Sequence, residues 1–368
     1  MYRIGSEYLK KIKTVLTSKN IGAGYLYFYI HFITELICFF VLSRLIGDGP
    51  FLWMAPFLYD AFAFVPQSLI GYASDKYPKI NMGIIGTILL IIGLILFGLN
   101  INFGKYTALL LICLGNAVIH VNGAEVTLRA SEGKLSHSAI FVAGGSFGVI
   151  TGKIMGRSFI PFWFLILAGI TMIPCILLAE YYRKEADDKS KVPCNQFNYN
   201  NSNINSGLIV LLAVIVVIVR GYMGYGIPTA WNKTISQTVL LYVSMGIGKA
   251  LGGILSDTIG IRKTALISTL GALPFLLFGD NIMIISLIGV LMFSMTMSIT
   301  LALLVSILKK APGLAFGLTT IGLFIGTVPI FFFKIKSTLI NCILITILTI
   351  LCVFILMKII KKEVKTNG

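Results

Sequence analysis

Apolar runs long enough to cross a bilayer, separated by short polar turns, limit the folds open to this chain more than any other feature. A helical span needs about 20 consecutive apolar residues to cover about 30 Å of hydrocarbon. Runs of that kind are read at 21–45, 51–74, 80–99, 105–128, 136–157, 160–182, 207–229, 235–256, 262–279, 281–307, 312–333 and 337–359. Lipid offers the backbone no hydrogen-bond partners, so such runs fold as helices. The expected class is an all-α membrane protein with twelve transmembrane helices. Composition agrees: 12% of residues are charged, against about 25% in soluble domains, and the mean hydropathy is +0.92.

The formal charge of +16 follows the loops. Most bases fall on the side of the N-terminus, the bias that places those loops in the cytoplasm. Both termini are expected there, with Lys358, Lys361, Lys362 and Lys365 at the far end of the chain. No basic patch with interleaved aromatics points to nucleic acid; the lipid bilayer is the partner, and the location is the plasma membrane. Residues 1–20, with Lys10, Lys11, Lys13 and Lys19, read as a solvated tail rather than an interfacial helix. Cys38, Cys113, Cys175, Cys194, Cys342 and Cys352 show no metal-ligand spacing and read as small apolar fillers. Trp53, Trp163 and Phe331 to Phe333 lie near span ends, where aromatics anchor the membrane interface.

The long polar stretch 183–206 is charged first (Arg183, Lys184, Glu185, Asp187, Asp188) and then asparagine-rich, from Asn195 to Asn205. It reads as a flexible cytoplasmic linker between an N-terminal six-helix bundle, 1–182, and a C-terminal one, 207–368. The turn Gly71-Tyr-Ala-Ser-Asp75-Lys76-Tyr-Pro78-Lys79 recurs as Gly253-Ile-Leu-Ser-Asp257-Thr-Ile-Gly260-Ile-Arg262-Lys263, about 182 positions later. One copy of a device per half is the mark of an internal repeat.

That turn resembles the signature loop of the major facilitator superfamily, with Pro78 and Thr258 as departures. The resemblance implies two pseudo-symmetric six-helix bundles, a monomer, and solute movement by alternating access. It implies a cytoplasmic gate of Gly71, Asp75, Lys76, Lys79, Glu125, Arg129, Gly253, Asp257, Arg262 and Lys249. A surface salt bridge of little energetic worth is the plainer reading of Glu125 with Arg129. The run from Gly115 to Gly133, carrying His120, Glu125 and Arg129, is similar to the fourth helix of the fosmidomycin-resistance-protein branch. His31-Phe32 with Glu35 is similar to that branch's first helix; Ile119 and Val121 depart from its pattern. Gly144, Gly148, Gly152 and Gly156 recur every four residues on the fifth span. They read either as static packing or, from a similar glycine row in proton-coupled antiporters, as a sliding face between halves. Lys153 stands where those antiporters have proline.

Ionisable groups deep in lipid are costly and need partners or water. Here they are Glu35 and Asp60 in the first half, and Arg220 and Lys249 in the second. Opposite signs in opposite halves suit a pairing across the interface, whether switching or static. His31 and Glu35, four apart, share a helix face. With Asp60 they are the expected proton-coupling residues, although a plain His–Glu hydrogen bond would satisfy both groups. Arg220, Asn116, His120, Tyr222 and Tyr225 are the expected solute contacts, the glycines and Pro228 around Tyr222 weakening the seventh span. There is no glycine-rich phosphate loop, nucleophile elbow or metal-ligand spacing. An enzyme and a cofactor are therefore not expected, and no ring of polar residues suggests a channel. Proton-driven efflux of a small amphiphilic or anionic compound is the favoured function. The rivals are proton-coupled uptake and a non-transporting membrane sensor on the same fold.

Overall fold

The computed structural model describes residues 2–45, 54–99, 104–158, 160–189, 194, 196–333, 335 and 337–362. Trp53, Asn195 and Lys365, named above, lie outside them. The described residues are helical almost throughout. Helix α1 (Tyr2–Leu16) precedes α2 (Ile21–Leu45), the first span; α3 (Met54–Phe64) and α4 (Gln67–Lys76) make the second. Then come α5 (Met82–Gly98), α6 (Gly104–Ala130), α7 (Ser136–Gly156) and α8 (Trp163–Lys189). The second half holds α9 (Ser206–Gly226), α10 (Ile235–Ile259), α11 (Ile261–Leu266), a π-helical turn (Ile267–Gly271) and α12 (Leu273–Phe278). It closes with α13 (Met283–Ser294), α14 (Thr296–Ile307), α15 (Pro312–Phe332) and α16 (Thr338–Ile359).

Among the described residues, ten helical stretches are long and apolar enough to cross a membrane, and Met82–Gly98 is a shorter apolar helix. The second span is broken where Pro66, lacking an N–H, cannot continue the ladder; the Gln67 side chain donates to Ala63 O (2.7 Å) across the break. Turn chemistry sets the helix starts. Asn81 accepts from Ile84 N, Asn205 from Gly207 N and Leu208 N, and Thr234 with Gln237 forms a capping box. Such caps satisfy amide groups that have no partner in the first turn.

Within the first half α2 packs on α7 and α5 on α6; within the second, α9 packs on α15 and α10 on α13. Between halves, α10 packs on α7 and α15 on α4. The motif glycines lie at these two crossings. A Cβ on Gly71 would stand 2.2 Å from Gly313 O, and one on Gly253 2.4 Å from Ala139 Cβ.

Several expectations are corrected. The glycine row of α7 faces its own half: added Cβ atoms at Gly144, Gly148, Gly152 and Gly156 would meet the carbonyl oxygens of Phe28, Phe32, Leu36 and Phe40. It is therefore static packing on α2, whereas Gly71, Gly253, Gly313 and Gly317 lie at crossings between halves. Residues 2–16 are a helix packed against α10 rather than a loose tail. Helix α8 continues through the charged stretch to Lys189. The later part of 183–206 is docked instead of flexible. Phe197 is fully buried, Tyr199 N donates to Ser306 Oγ (3.2 Å) and Tyr199 OH to Gly133 O (2.7 Å). Lys361 N donates to Tyr199 O and Asn201 N to Ile359 O, each at 2.8 Å. Burial raises the Tyr199 phenol well above its ordinary range, so it remains a donor. Helix α9 runs unbroken to Gly226, and Pro228 follows its end.

Candidate functional site

Buried polar side chains from α2, α3 and α6 converge inside the first half. His31 and Glu35 lie one turn apart on α2, and Asn116 and His120 one turn apart on α6, so each helix presents a polar pair. Glu35 Oε1 accepts from Asn116 Nδ2 at 3.0 Å, and Oε2 from Tyr59 OH at 3.1 Å. His120 Nε2 lies 3.3 Å from the same Oε1 and His31 Nε2 3.8 Å. Asn116 Nδ2 is also 2.9 Å from Tyr59 OH and 3.2 Å from Cys38 Sγ. Cys38 is thus part of the cluster's wall, not only a filler.

The two imidazoles face each other through their Nε2 atoms. His31 Nδ1 is 2.9 Å from Phe141 O, and His120 Nδ1 is 2.9 Å from Asn116 O. A carbonyl only accepts, so both Nδ1 atoms carry hydrogen. The Nε2 atoms then face each other at 2.7 Å. Two lone pairs repel at that distance, and a cation between them removes the conflict. A single shared proton would be such a cation.

Packing holds this geometry. The histidine rings meet edge-on at 4.3 Å, Phe141 lies 5.0 Å from His31, and Phe316 of α15 stacks 6.4 Å from His120. Gly145 leaves room for the imidazole, since a Cβ there would stand 2.3 Å from His31 Nε2. Phe316 brings the second half to the cluster. It also lines a small cavity between halves with Ser138, Ala139, Lys249, Ser298 and Thr319. Lys249 is near enough for its charge to act on Glu35.

The other expected site residues are spread more widely. Asp60 is buried beside Tyr59, but none of the cluster's hydrogen bonds reaches it; the charges of Glu35 and Lys153 act on it. Arg220 turns into its own half, its guanidinium 4.1 Å from the Phe293 ring and donating to Phe293 O. Of the two bases expected to pair with first-half acids, Arg220 stays within its own half, and Lys249 is near enough to act on Glu35. Tyr222 is half-buried and Tyr225 is 64% exposed; neither joins the cluster.

A second network lies at the membrane side that carries the 183–206 linker. Asp75 accepts from Gly313 N (3.0 Å) and Leu314 N (2.8 Å) at the start of α15. Asp257 accepts from Leu135 N and Ser136 N, both 2.9 Å, at the start of α7. Each half's carboxylate thus caps a helix of the other half, where free N–H groups and the helix dipole favour negative charge. Arg129 joins Asp75 (Nη2–Oδ1 3.8 Å) to Glu125 (Nε–Oε1 3.0 Å), and Ser74 donates to Glu125. These side chains are at most 7% exposed, so the surface salt-bridge reading does not apply. Lys76 and Lys79 are exposed and outside the network. Arg262 caps α16 through Met357 O (2.9 Å) and Ile360 O (3.2 Å), and among the described residues these bonds lie within the second half.

Sequence reasoning missed Tyr59, Gly145, Phe316 and the pair Lys153–Tyr242. The Lys153 ammonium donates to Tyr242 OH at 2.7 Å and lies 4.9 Å from that ring, joining α7 to α10. A lone base on a glycine-rich span was the available signal.

The chain superposes on the human organic anion transporter MFSD10 (TETRAN) with a TM-score of 0.61, at 13% identity, over 94% of this chain and 99% of that one. The E. coli fucose:proton symporter FucP gives a TM-score of 0.57, at 15% identity, over 92% and 99%. The chain has the major facilitator fold. No protein-family model matches it. In sequence it is 26% identical over 233 residues to the fosmidomycin resistance protein of Escherichia coli (strain K12). That match takes in 57% of this chain and 57% of the relative, little more than half its length. Within the major facilitator fold, the histidine–glutamate cluster lies in the first bundle, against Phe316 of the second.

Proposed function

We propose that the chain is a secondary active transporter that exports a small amphiphilic or anionic compound across the plasma membrane in exchange for protons, as a monomer, by alternating access. One observation carries the proton part: two Nε2 atoms 2.7 Å apart beside a buried carboxylate, a geometry that requires a cation and suits a proton. The linker side is taken as cytoplasmic, and the reciprocal caps of Asp75 and Asp257 hold that side shut.

Protonating Glu35 weakens the hydrogen bonds it accepts from Asn116 and Tyr59 and frees the histidine pair to lose its shared proton. Helices α2, α3 and α6 then rearrange together, and Phe316 carries the change to α15. The solute anion binds at Lys249 in the cavity beside Phe316, with Ser138, Ser298 and Thr319 as polar contacts. Arg220 Nη1, buried with no hydrogen-bond partner among the described residues, is a second group able to meet an anion. Asp60 is the companion proton site. Similarity to a resistance protein and to an organic anion transporter is in keeping with export of an anion; similarity to a fucose:proton symporter keeps uptake as the alternative.

The test uses purified protein in proteoliposomes, with fosmidomycin and a fluorescent organic anion as probes and a pH dye inside. One unit of pH gradient is worth about 1.4 kcal/mol, so a one-proton cycle concentrates the probe about tenfold. Glu35→Gln is expected to abolish that accumulation while leaving probe exchange at zero gradient. Accumulation by the variant at the wild-type rate would remove Glu35 from the coupling. Reversing the gradient separates export from uptake.

A further inference from the structure

His31, His120 and Glu35 also have the donor set and spacing of a metal site. Their nearest donor atoms form a triangle with sides of 2.7, 3.3 and 3.8 Å. A point about 1.9 Å from all three atoms exists within that triangle's plane, and an ion slightly above the plane sits at the 2.0–2.2 Å expected of Zn²⁺ with imidazole and carboxylate. Nδ1 of each histidine is spent on a main-chain carbonyl, the outer contact that fixes a metal-binding imidazole with its Nε2 lone pair free. Tyr59 holds the other carboxylate oxygen, Oε2, and Asn116 donates to Oε1 itself, so both fix the carboxylate's orientation. Gly145 supplies the room.

We propose that these three side chains bind one first-row divalent transition ion, of the Zn²⁺ class, with a fourth position open. Two nitrogens and one oxygen select against Mg²⁺ and Ca²⁺, which take oxygen ligands. The ion occupies the position given above to the shared proton. The inference therefore rests on the same cluster as the transport reading, although binding itself requires no transport.

The test is a titration of full-length protein in detergent with Co²⁺, a spectroscopic substitute, followed by displacement with Zn²⁺. Expected are one ion per chain, visible ligand-field bands of low-coordinate Co²⁺, and loss of those bands on adding Zn²⁺. His120→Gln and His31→Asn should each weaken binding by more than about a hundredfold, beyond the loss expected for an outer partner. His137→Gln, at a histidine outside the cluster, should leave it unchanged. Folded wild-type protein that shows no such bands overturns the proposal without recourse to any variant, as does binding that survives both cluster substitutions. Absence of metal binding alongside intact proton-coupled flux would sink only this inference. Metal binding alongside wild-type flux in Glu35→Gln would sink only the transport reading.

Discussion

Arg129 serves two carboxylates in a place where little water reaches, and that makes it the most exacting charged side chain at the linker side. Removing it takes an ion-pair partner from both Glu125 and Asp75, and breaking a buried pair from one side costs about 3–5 kcal/mol. Arg129→Ala should lower the thermal unfolding temperature in detergent sharply. Lys79→Ala, at an exposed base of the same motif, should change stability by less than about 0.5 kcal/mol. Equal effects of the two substitutions would show that the network is energetically ordinary. The same contrast marks what can be read from residue spacing. Glu125 and Arg129 are four apart on one helix, as are His31 with Glu35 and Asn116 with His120, so each pair was legible. That α2 and α6 turn those pairs toward each other was not, because spacing fixes a face on one helix and not which neighbour that face meets. Tyr59 was hidden for the same reason: it precedes the conspicuous Asp60, yet it is the tyrosine that touches Glu35.

At the scale of helices, glycine rows that look alike in sequence have different structural roles. Gly148 presses on Phe32 O inside the first half, whereas Gly317 presses on Ser68 of α4 across the boundary; added Cβ atoms would stand at 2.3 Å in both cases. Neither contact is to the end of a flexible side chain, so backbones must part. Gly148→Val is expected to disrupt the α2–α7 packing and lower yield and unfolding temperature. Gly317→Val acts on a crossing that alternating access must open in any case. It should leave a folded protein whose linker side is more open, read as faster labelling of a cysteine placed at Ser68. Unchanged labelling in well-folded Gly317→Val would mean that the α4–α15 crossing does not gate. The spans themselves were legible from hydropathy because lipid permits so few alternatives. The docked linker was not: asparagines that suggest solvated chain instead pair with the end of α16, with Phe197 as the apolar anchor among them.

For the whole molecule, the decisive feature is that the two halves hold each other by the same device twice. Asp75 caps α15 and Asp257 caps α7, each accepting two backbone N–H bonds. The repeat of Gly-x-x-x-Asp across the halves was visible in sequence, but the partners were not, since they are main-chain groups with no residue signature. If closure of the linker side is one rigid-body event, its equilibrium feels the sum of the two caps. Hydrogen bonds to a charged group are worth about 1.5–3 kcal/mol net, and inverting a 99:1 population takes about 5.5 kcal/mol. With two such bonds a cap is worth about 3–6 kcal/mol, so Asp75→Ala or Asp257→Ala alone should shift the equilibrium toward the open form by about a hundredfold or more. The double variant should bring the open form to dominance. Spin labels at cysteines replacing Lys79 and Lys310, in a background without native cysteines, would report this as a second, longer distance that grows from single to double variant. The two caps lie on separate crossings, so their effects should add to within about 0.5 kcal/mol. A single short distance surviving in the double variant would mean that the caps position helices without controlling access, and that the closed linker side is held by packing alone.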